Sequence, residues 1–497
     1  MNKGISHGLY MKKNSKTKKQ STQSNQHKRK QVQKSEAAPQ KPATLRKGQV
    51  MELTIDSLDR EGIGIAAKNS RKLLLPGGLP KDRCLARITH TGARADHLQL
   101  VKLLEPSPLR SKRSACPDAD DCLGCPLINM RYDEQLNWKQ QLVQKELAAY
   151  PLLKETAVLT PLAPRKRLQY RTTAKLAIAG SHNNPYIGMY RRSTHDLVDL
   201  GDCPVHHPLI NQVIAVVQSG IKKMRIPIYQ PERKTGILRY LVVRVSEESG
   251  QVMVTFVTAR RSYNELHHLG KFLQKELPQV VVVCQNVNSS EGTVIFGNRD
   301  YFLTKQQTIQ EKIGGVKMLV SPRSFLQAQH DGARLLYNKV KEWAGDLENM
   351  PVLDLYCGIG GIALTLAPFA GKVMGIEISE EAVADARRNA MLNQAENCSF
   401  EAGDVQELLS ELSDEGEMFR LVILNPPRKG CEQKVLEQVT ALQPARIIYV
   451  SCAPQTLARD LDILARLGYN CPQIQPVDMF PQTPHIENIA LLMRSAG

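Results

Sequence analysis

The sequence predicts a multidomain α/β protein whose C-terminal part is a Rossmann-like, doubly wound parallel sheet. Three observations carry this. From about residue 321, apolar strands (VLDLYC, KVMGIEI, LVILNPP, ARIIYVSC and a last one near IALLM) alternate with helical stretches such as EEAVADARRNAMLNQ and VLEQVTALQ. That rhythm builds a mostly parallel sheet. Within it, VLDLYCGIGGIAL (352–364) reads as strand, glycine turn and helix start. At the other end, short strands between residues 50 and 106, punctuated by Gly62, Gly64, Gly77 and Gly78, suggest a small β-barrel.

The boundaries drawn from these patterns are 1–47, 48–106, 107–320 and 321–497. A chain of 497 residues is long enough for about three domains and a sizeable core. With 42% hydrophobic and 23% charged residues, its composition excludes wholesale disorder. No apolar run approaches the ~18 residues of a membrane span, and no apolar segment follows the basic N-terminus as in a secretory signal. Eleven cysteines, an odd number, argue for a reducing compartment rather than a disulfide framework. The expectation is a cytoplasmic protein with no membrane association and no obligate protein partner.

Charge is concentrated at one end. Residues 1–47 hold 13 Lys and Arg and one acid, Glu36, so +12 of the net +17 lies there. Rich in Gln, Ser and Asn, this arm is expected to be disordered and to bind a polyanion, which here means nucleic acid. Met11 offers an alternative start. In the barrel, SLDREGIGIA, LLLPGGLPKD and LEPSP resemble the TRAM domain, an RNA-binding barrel of the OB type. Arg60, Lys68, Arg71 and Lys72 would suit an RNA-facing surface.

The stretch 107–320 reads as α+β. A helix (YDEQLNWKQQLVQKELAAY) precedes alternating strands rich in tyrosine and basic residues, the pattern of antiparallel sheet. RKRLQYR (165–171) and MYRR (189–192) suggest an RNA groove with tyrosines stacking on bases, against half-buried sheet packing as the plain alternative. Cys116, Cys122 and Cys125 are spaced x5 and x2, and Cys203 follows later. Such spacing suits tetrahedral zinc or an iron–sulfur cluster. Prolines after Cys116, Cys125 and Cys203 lean toward iron–sulfur, while His206 and His207 keep zinc open.

In the glycine turn, Gly358, Gly360 and Gly361 let backbone approach a ligand. Gly358-x-Gly360-x-x-Ala363 also fits a dinucleotide fingerprint, and Glu377 ends the next strand where an acid meets ribose hydroxyls. The turn alone does not separate NAD from S-adenosyl-L-methionine. Asp354 just before it, and Asn425-Pro426-Pro427-Arg428 at a later strand end, favour the latter. Asp404 is placed for the adenine end. Cys452, between a strand and a helix, sits where open α/β sheets place chemistry, and a helix N-terminus is expected to depress its pKa. A lone cysteine is nevertheless more often structural. Glu487, flanked by apolar residues in PHIEN, is expected to carry a raised pKa suited to a general base.

Together these segments resemble the RNA 5-methyluridine methyltransferases of the RumA type over residues 48–497. SPRSFLQAQ (321–329), DLYCGIGGIAL, NPPRKG, SCAPQTLARDL and PHIEN carry the resemblance. It implies a TRAM barrel, an iron–sulfur domain and a class I methyltransferase domain. It implies Cys452 as nucleophile and Glu487 as base. Gln327, Tyr356, Glu377 and Asn425 fall at cofactor-site positions, although the family often has Asp at the last. It implies a [4Fe-4S] cluster on Cys116, Cys122, Cys125 and Cys203. Bacterial tRNA-specific relatives are generally shorter and lack barrel and cluster, which favours 23S ribosomal RNA as substrate. Rival readings are a tRNA uridine enzyme, an amino-group methyltransferase, which usually carries an aromatic where Arg428 stands, and a non-catalytic ribosome-binding factor.

Overall fold

A computed structural model describes residues 45–495, except 69, 123, 192–195 and 293. The basic arm, up to residue 44, lies outside the described residues. Residues from Leu45 onward form one unit built on three large sheets.

The first has six short strands, with Val50–Thr54 at one end of the strand order and Ser57–Leu58 at the other. Only two residues separate these end strands, so the sheet curls on itself around Leu53, Ile55, Leu73, Leu75 and Ile88. Two of the four basic residues expected to face RNA are engaged in ion pairs. Arg71 binds Asp96 at 2.5 Å, and Arg60 binds Glu146 at 2.8 Å. Gly62, at φ 73°, turns the chain against the cysteine segment. A Cβ there would come within 3.1 Å of both Pro126 and Leu127.

The second sheet has seven strands, all antiparallel to their neighbours except Val252–Thr258 and Val280–Val287, which run parallel around the crossover helix Asn264–Glu276. Helix Pro208–Met224 lies beside it. Ile210, Val213, Ile214, Val217 and Ile221 form its apolar stripe, packed with Leu241, Val243 and Phe256. Of the tyrosines expected to meet RNA, Tyr170 does not. It is buried, with its hydroxyl donated to Pro481 O at 2.9 Å. Tyr186 and Tyr190 are exposed.

The third sheet runs Cys398–Ala402, Lys372–Glu377, Pro351–Leu355, Leu421–Leu424, Arg446–Ser451, Glu487–Arg494, Tyr469–Val477 and Ala157–Val158. The first five strands are parallel. Their Val, Leu and Ile runs are buried on both faces, as helices on either side require. Glu487–Arg494 is antiparallel to both neighbours. The boundary at 320 is crossed, because Ala157–Val158 pairs with this sheet. Helix Tyr132–Leu147 also packs Val143 and Leu147 into the same core as Leu457 and Leu461.

That helix carries a fully buried ion pair. Lys139 Nζ donates to Asp478 Oδ1 at 2.6 Å and to Phe480 O at 3.1 Å, and Tyr132 donates to Asp478 Oδ2 at 2.9 Å. Removing one partner leaves an uncompensated charge. Lys139→Met is therefore expected to lower unfolding free energy by about 3–5 kcal/mol, read by chemical denaturation.

Candidate active site at the carboxyl edge of the parallel sheet

The parallel strand order reverses between Pro351–Leu355 and Leu421–Leu424, and such a switch point opens a crevice beyond the strand ends. The expected site residues line that edge. Asp404 follows Cys398–Ala402, Glu377 ends Lys372–Glu377, and Tyr356 and Gly358 follow Pro351–Leu355. Asn425 follows Leu421–Leu424, and Cys452 follows Arg446–Ser451. Glu487 opens the antiparallel strand at the same edge. The pairing of Ser451 with Asn488 brings it beside Cys452.

The glycine turn is held in shape by backbone and acid. Gly358 and Gly360 have φ of 56° and 85°. A Cβ on Gly358 would meet nothing within 4 Å, so the turn faces open space. Glu377 accepts from Gly358 N at 3.2 Å and from Ser379 N at 3.0 Å. Asp354 is buried in the strand before the turn. Its Oδ2 accepts from Ala363 N at 3.0 Å, and its Oδ1 has no partner. Burial pushes this carboxyl up to about 7. An orphaned acid beside an open glycine turn suits a cationic ligand, and S-adenosyl-L-methionine carries both a sulfonium and an ammonium.

Tyr356 adopts φ 63°, a strained region for a non-glycine residue, and its side chain lies near Cys431, beyond the Asn-Pro-Pro turn. Asn425 donates its backbone N–H to Leu355 O at 3.3 Å, tying the same two turns together. Asp404 is exposed and caps helix Val405–Asp414. Its Oδ1 accepts from Gln406 N at 2.9 Å and Glu407 N at 3.4 Å. Gln327 is buried in the loop 321–329. Ser321 and Ser324 pin this loop to Asp385 on the helix Glu380–Leu392 that follows Glu377.

Cys452 departs from expectation. Burial pushes its thiol up, and the neighbouring Glu487 charge pushes it further. Burial and the carboxylate both act against the depression expected from the adjacent helix N-terminus. Arg428 opposes both effects, its guanidinium pulling down Cys452 and also Glu487, which burial raises to about 7. His485 is pushed down to about 4 by burial and by Arg428, and stays neutral. Sequence reasoning assigned no role to Arg428 or His485. Both stood inside the quoted motifs NPPRKG and PHIEN, but only the fold brings Arg428 to Cys452 and Glu487, and His485 to Arg428.

Arg428 has a testable consequence. Without its charge, both Cys452 and Glu487 titrate higher, so less thiolate and less carboxylate exist at neutral pH. Arg428→Gln is expected to lower kcat/KM at pH 7 by about tenfold or more and to move the pH–rate profile toward alkaline values. A profile lowered equally at every pH would refute this.

The cysteine segment precedes the parallel sheet in the chain. Burial raises Cys116, Cys122 and Cys125, the last to about 12, and each feels the charge of Cys203. The four thiols thus share one neighbourhood. Among the described residues, however, no group of three or more His, Cys, Asp or Glu side chains stands ready to hold a metal ion. His207 is engaged elsewhere, accepting at Nδ1 from Leu209 N as a helix cap. No helix of the described residues is long and apolar enough to cross a membrane.

A parallel sheet with a glycine turn at its switch point, an acid ending the next strand, and the antiparallel strand Glu487–Arg494 set between Arg446–Ser451 and Tyr469–Val477 is the arrangement of an α/β methyltransferase fold. The chain belongs to the tRNA (uracil-5-)-methyltransferase family, whose model matches residues 131–495. An uncharacterized RNA methyltransferase of Geobacter sulfurreducens is 52% identical over 449 residues, covering 90% of this chain and 91% of that protein. One of Halalkalibacterium halodurans is 34% identical, covering 90% and 98%. Among solved structures, the Pyrococcus abyssi tRNA (uracil-54, C5)-methyltransferase in complex with S-adenosyl-L-homocysteine is similar with a TM-score of 0.73 and 28% identity. It covers 89% of this chain and all of that one. The protein is an RNA methyltransferase.

Proposed function

We propose that this enzyme methylates C5 of a uridine in RNA through a covalent adduct between Cys452 and C6. The observation that carries the reading is the grouping of Cys452, Glu487 and Arg428 from three neighbouring strand ends, on the same sheet edge as the open glycine turn. The Cys452 thiolate adds to C6 and makes C5 nucleophilic. S-adenosyl-L-methionine, when bound, supplies the methyl group and leaves as S-adenosyl-L-homocysteine. Glu487 then takes the C5 proton, the double bond re-forms, and the C6–S bond breaks to return the thiolate. Arg428 stabilises both anions as each appears. Gln327, Tyr356, Gly358, Gly360, Glu377, Asp404 and Asn425 are the residues to hold the cofactor. A uridine in folded RNA must be flipped out to reach Cys452.

Cys116, Cys122, Cys125 and Cys203 are proposed to hold a [4Fe-4S] cluster. Four thiols in mutual electrostatic reach, three of them before proline, support that donor set. The cluster would be a structural staple, since four ligands leave no open position. An absorption spectrum of anaerobically purified protein tests it. The curled N-terminal sheet is read as a TRAM-type RNA-binding barrel, and the compartment as cytoplasm.

The RNA is proposed to be 23S ribosomal RNA, on the strength of barrel and cysteines together. A tRNA is the second reading. The Pyrococcus abyssi enzyme, named for uracil-54 of tRNA, aligns over a span long enough to take in the barrel. Incubation with S-adenosyl-L-methionine and 5-fluorouridine-substituted 23S RNA or tRNA separates them. Fluorine does not leave as a proton does, so the true substrate gives a band shift on a denaturing gel. A shift with tRNA alone overturns the ribosomal assignment.

A further inference from the structure

Glu487 is delivered by the loop 478–486, which joins the last two strands. Beyond its near neighbours in sequence, this loop's hydrogen bonds among the described residues run to one stretch of chain, residues 127–170. Asp478 holds Lys139 and Tyr132, and Pro481 O accepts from Tyr170. Gln482 is the most heavily tied. Its Oε1 accepts from Gln135 Nε2 at 2.9 Å, and its N–H donates to Gln135 Oε1 at 2.9 Å. Its carbonyl accepts from Leu127 N at 3.0 Å, and its Nε2 donates to Arg167 O at 3.3 Å.

Gln482 also sits at φ 73°, in the left-handed region, while nearly buried. Such a conformation is strained in a non-glycine residue and persists only when its surroundings over-determine it. Gln135 supplies that constraint. It is 1% exposed, and its amide also donates to Leu127 O and Met130 O. A strained residue clasped by a buried amide, five residues before a buried acid, has the form of a positioning device.

We propose that Gln482, clasped by Gln135, is a positioning residue that sets Glu487 for removal of the C5 proton, without part in the earlier attack by Cys452. The proposal rests on the site reading above. It also gives the cysteine-bearing segment a function in the reaction, because Leu127, two residues after Cys125, is part of the clasp. General-base catalysis depends on placing the carboxylate within hydrogen-bond reach of its proton, so a small displacement slows that step selectively.

The test uses full-length enzyme, S-adenosyl-L-methionine and RNA carrying uridine tritiated at C5, under single-turnover conditions. Gln482→Gly keeps the left-handed backbone accessible while deleting the clasped side chain. Gln135→Met removes the partner instead, and decides the matter should Gln482→Gly not fold. The expected result is methyl incorporation within about threefold of wild type, tritium release slowed at least tenfold, and a methylated protein–RNA adduct that builds up on a denaturing gel. A merely structural role would lower methyl incorporation and tritium release by one common factor. That outcome, or no change in either, overturns the proposal. Wild-type enzyme that releases no tritium and forms no adduct with 5-fluorouridine RNA overturns the site reading itself, and this proposal with it.

Discussion

Cys452→Ala is expected to abolish the covalent band with 5-fluorouridine RNA and to lower methylation by more than ~10⁴-fold, with the fold and cofactor affinity retained. The residue is half-buried at a strand end, and its backbone is not part of the strand's hydrogen-bond ladder. Removing the sulfur thus deletes chemistry and little packing. Equilibrium binding of S-adenosyl-L-methionine checks that the glycine turn is intact. Residual methylation near the wild-type level would exclude the adduct mechanism and turn attention to Asn425.

Glu487→Gln is expected to act later in the reaction. The amide preserves shape but has no basic oxygen, so the adduct forms, receives its methyl group and stalls. Product release should fall by ~10²–10⁴-fold, and the protein–RNA band should appear with ordinary uridine RNA. The sign of the pH dependence follows from burial, which raises this carboxyl to about 7. The base form exists above that value. Wild-type turnover limited by proton removal should therefore rise about tenfold per pH unit below 7 and level off above it. Glu487→Gln should remove that limb of the profile. A wild-type rate that falls as pH rises through 7 would mean that the protonated acid is the active form.

The two variants together separate nucleophile from base, and Arg428 links them. Among the described residues, its guanidinium is the side chain that lowers both Cys452 and Glu487. In its absence, a buried carboxylate and a thiolate would each raise the other's pKa. A site that needs two anions in sequence, on neighbouring residues, needs a fixed cation beside them.

Much of this architecture was legible in the sequence. The alternation of apolar strands with amphipathic helices after residue 321 is a local signal, because strands buried on both faces must be apolar throughout. The glycine turn is local too, since left-handed backbone at Gly358 and Gly360 has few other solutions. Placing Glu377, Asp404, Asn425 and Cys452 at strand ends required only the strand limits. In a parallel sheet, all carboxyl ends share one edge.

What the linear pattern left undecided concerns charge and distance. Whether Cys452 is acidic or not depends on the burial and the carboxylate brought to it from 35 residues away, and a helix start in the sequence pointed the wrong way. Arg428 and His485 were visible as letters in quoted motifs. The effect of Arg428 is electrostatic and exists only once the fold sets it beside Cys452 and Glu487, which the pairing of 451 with 488 brings together. The tie between residues 127–170 and the loop before Glu487 spans more than 300 positions of chain, and no period or spacing encodes it. Sequence alone determined the kind of sheet and its ligand turn, because these follow from short-range rules of backbone and hydrophobicity, and resemblance to a known family singled out the candidate nucleophile and base. Tertiary structure alone decided which groups share a low-dielectric space, and therefore which protons move.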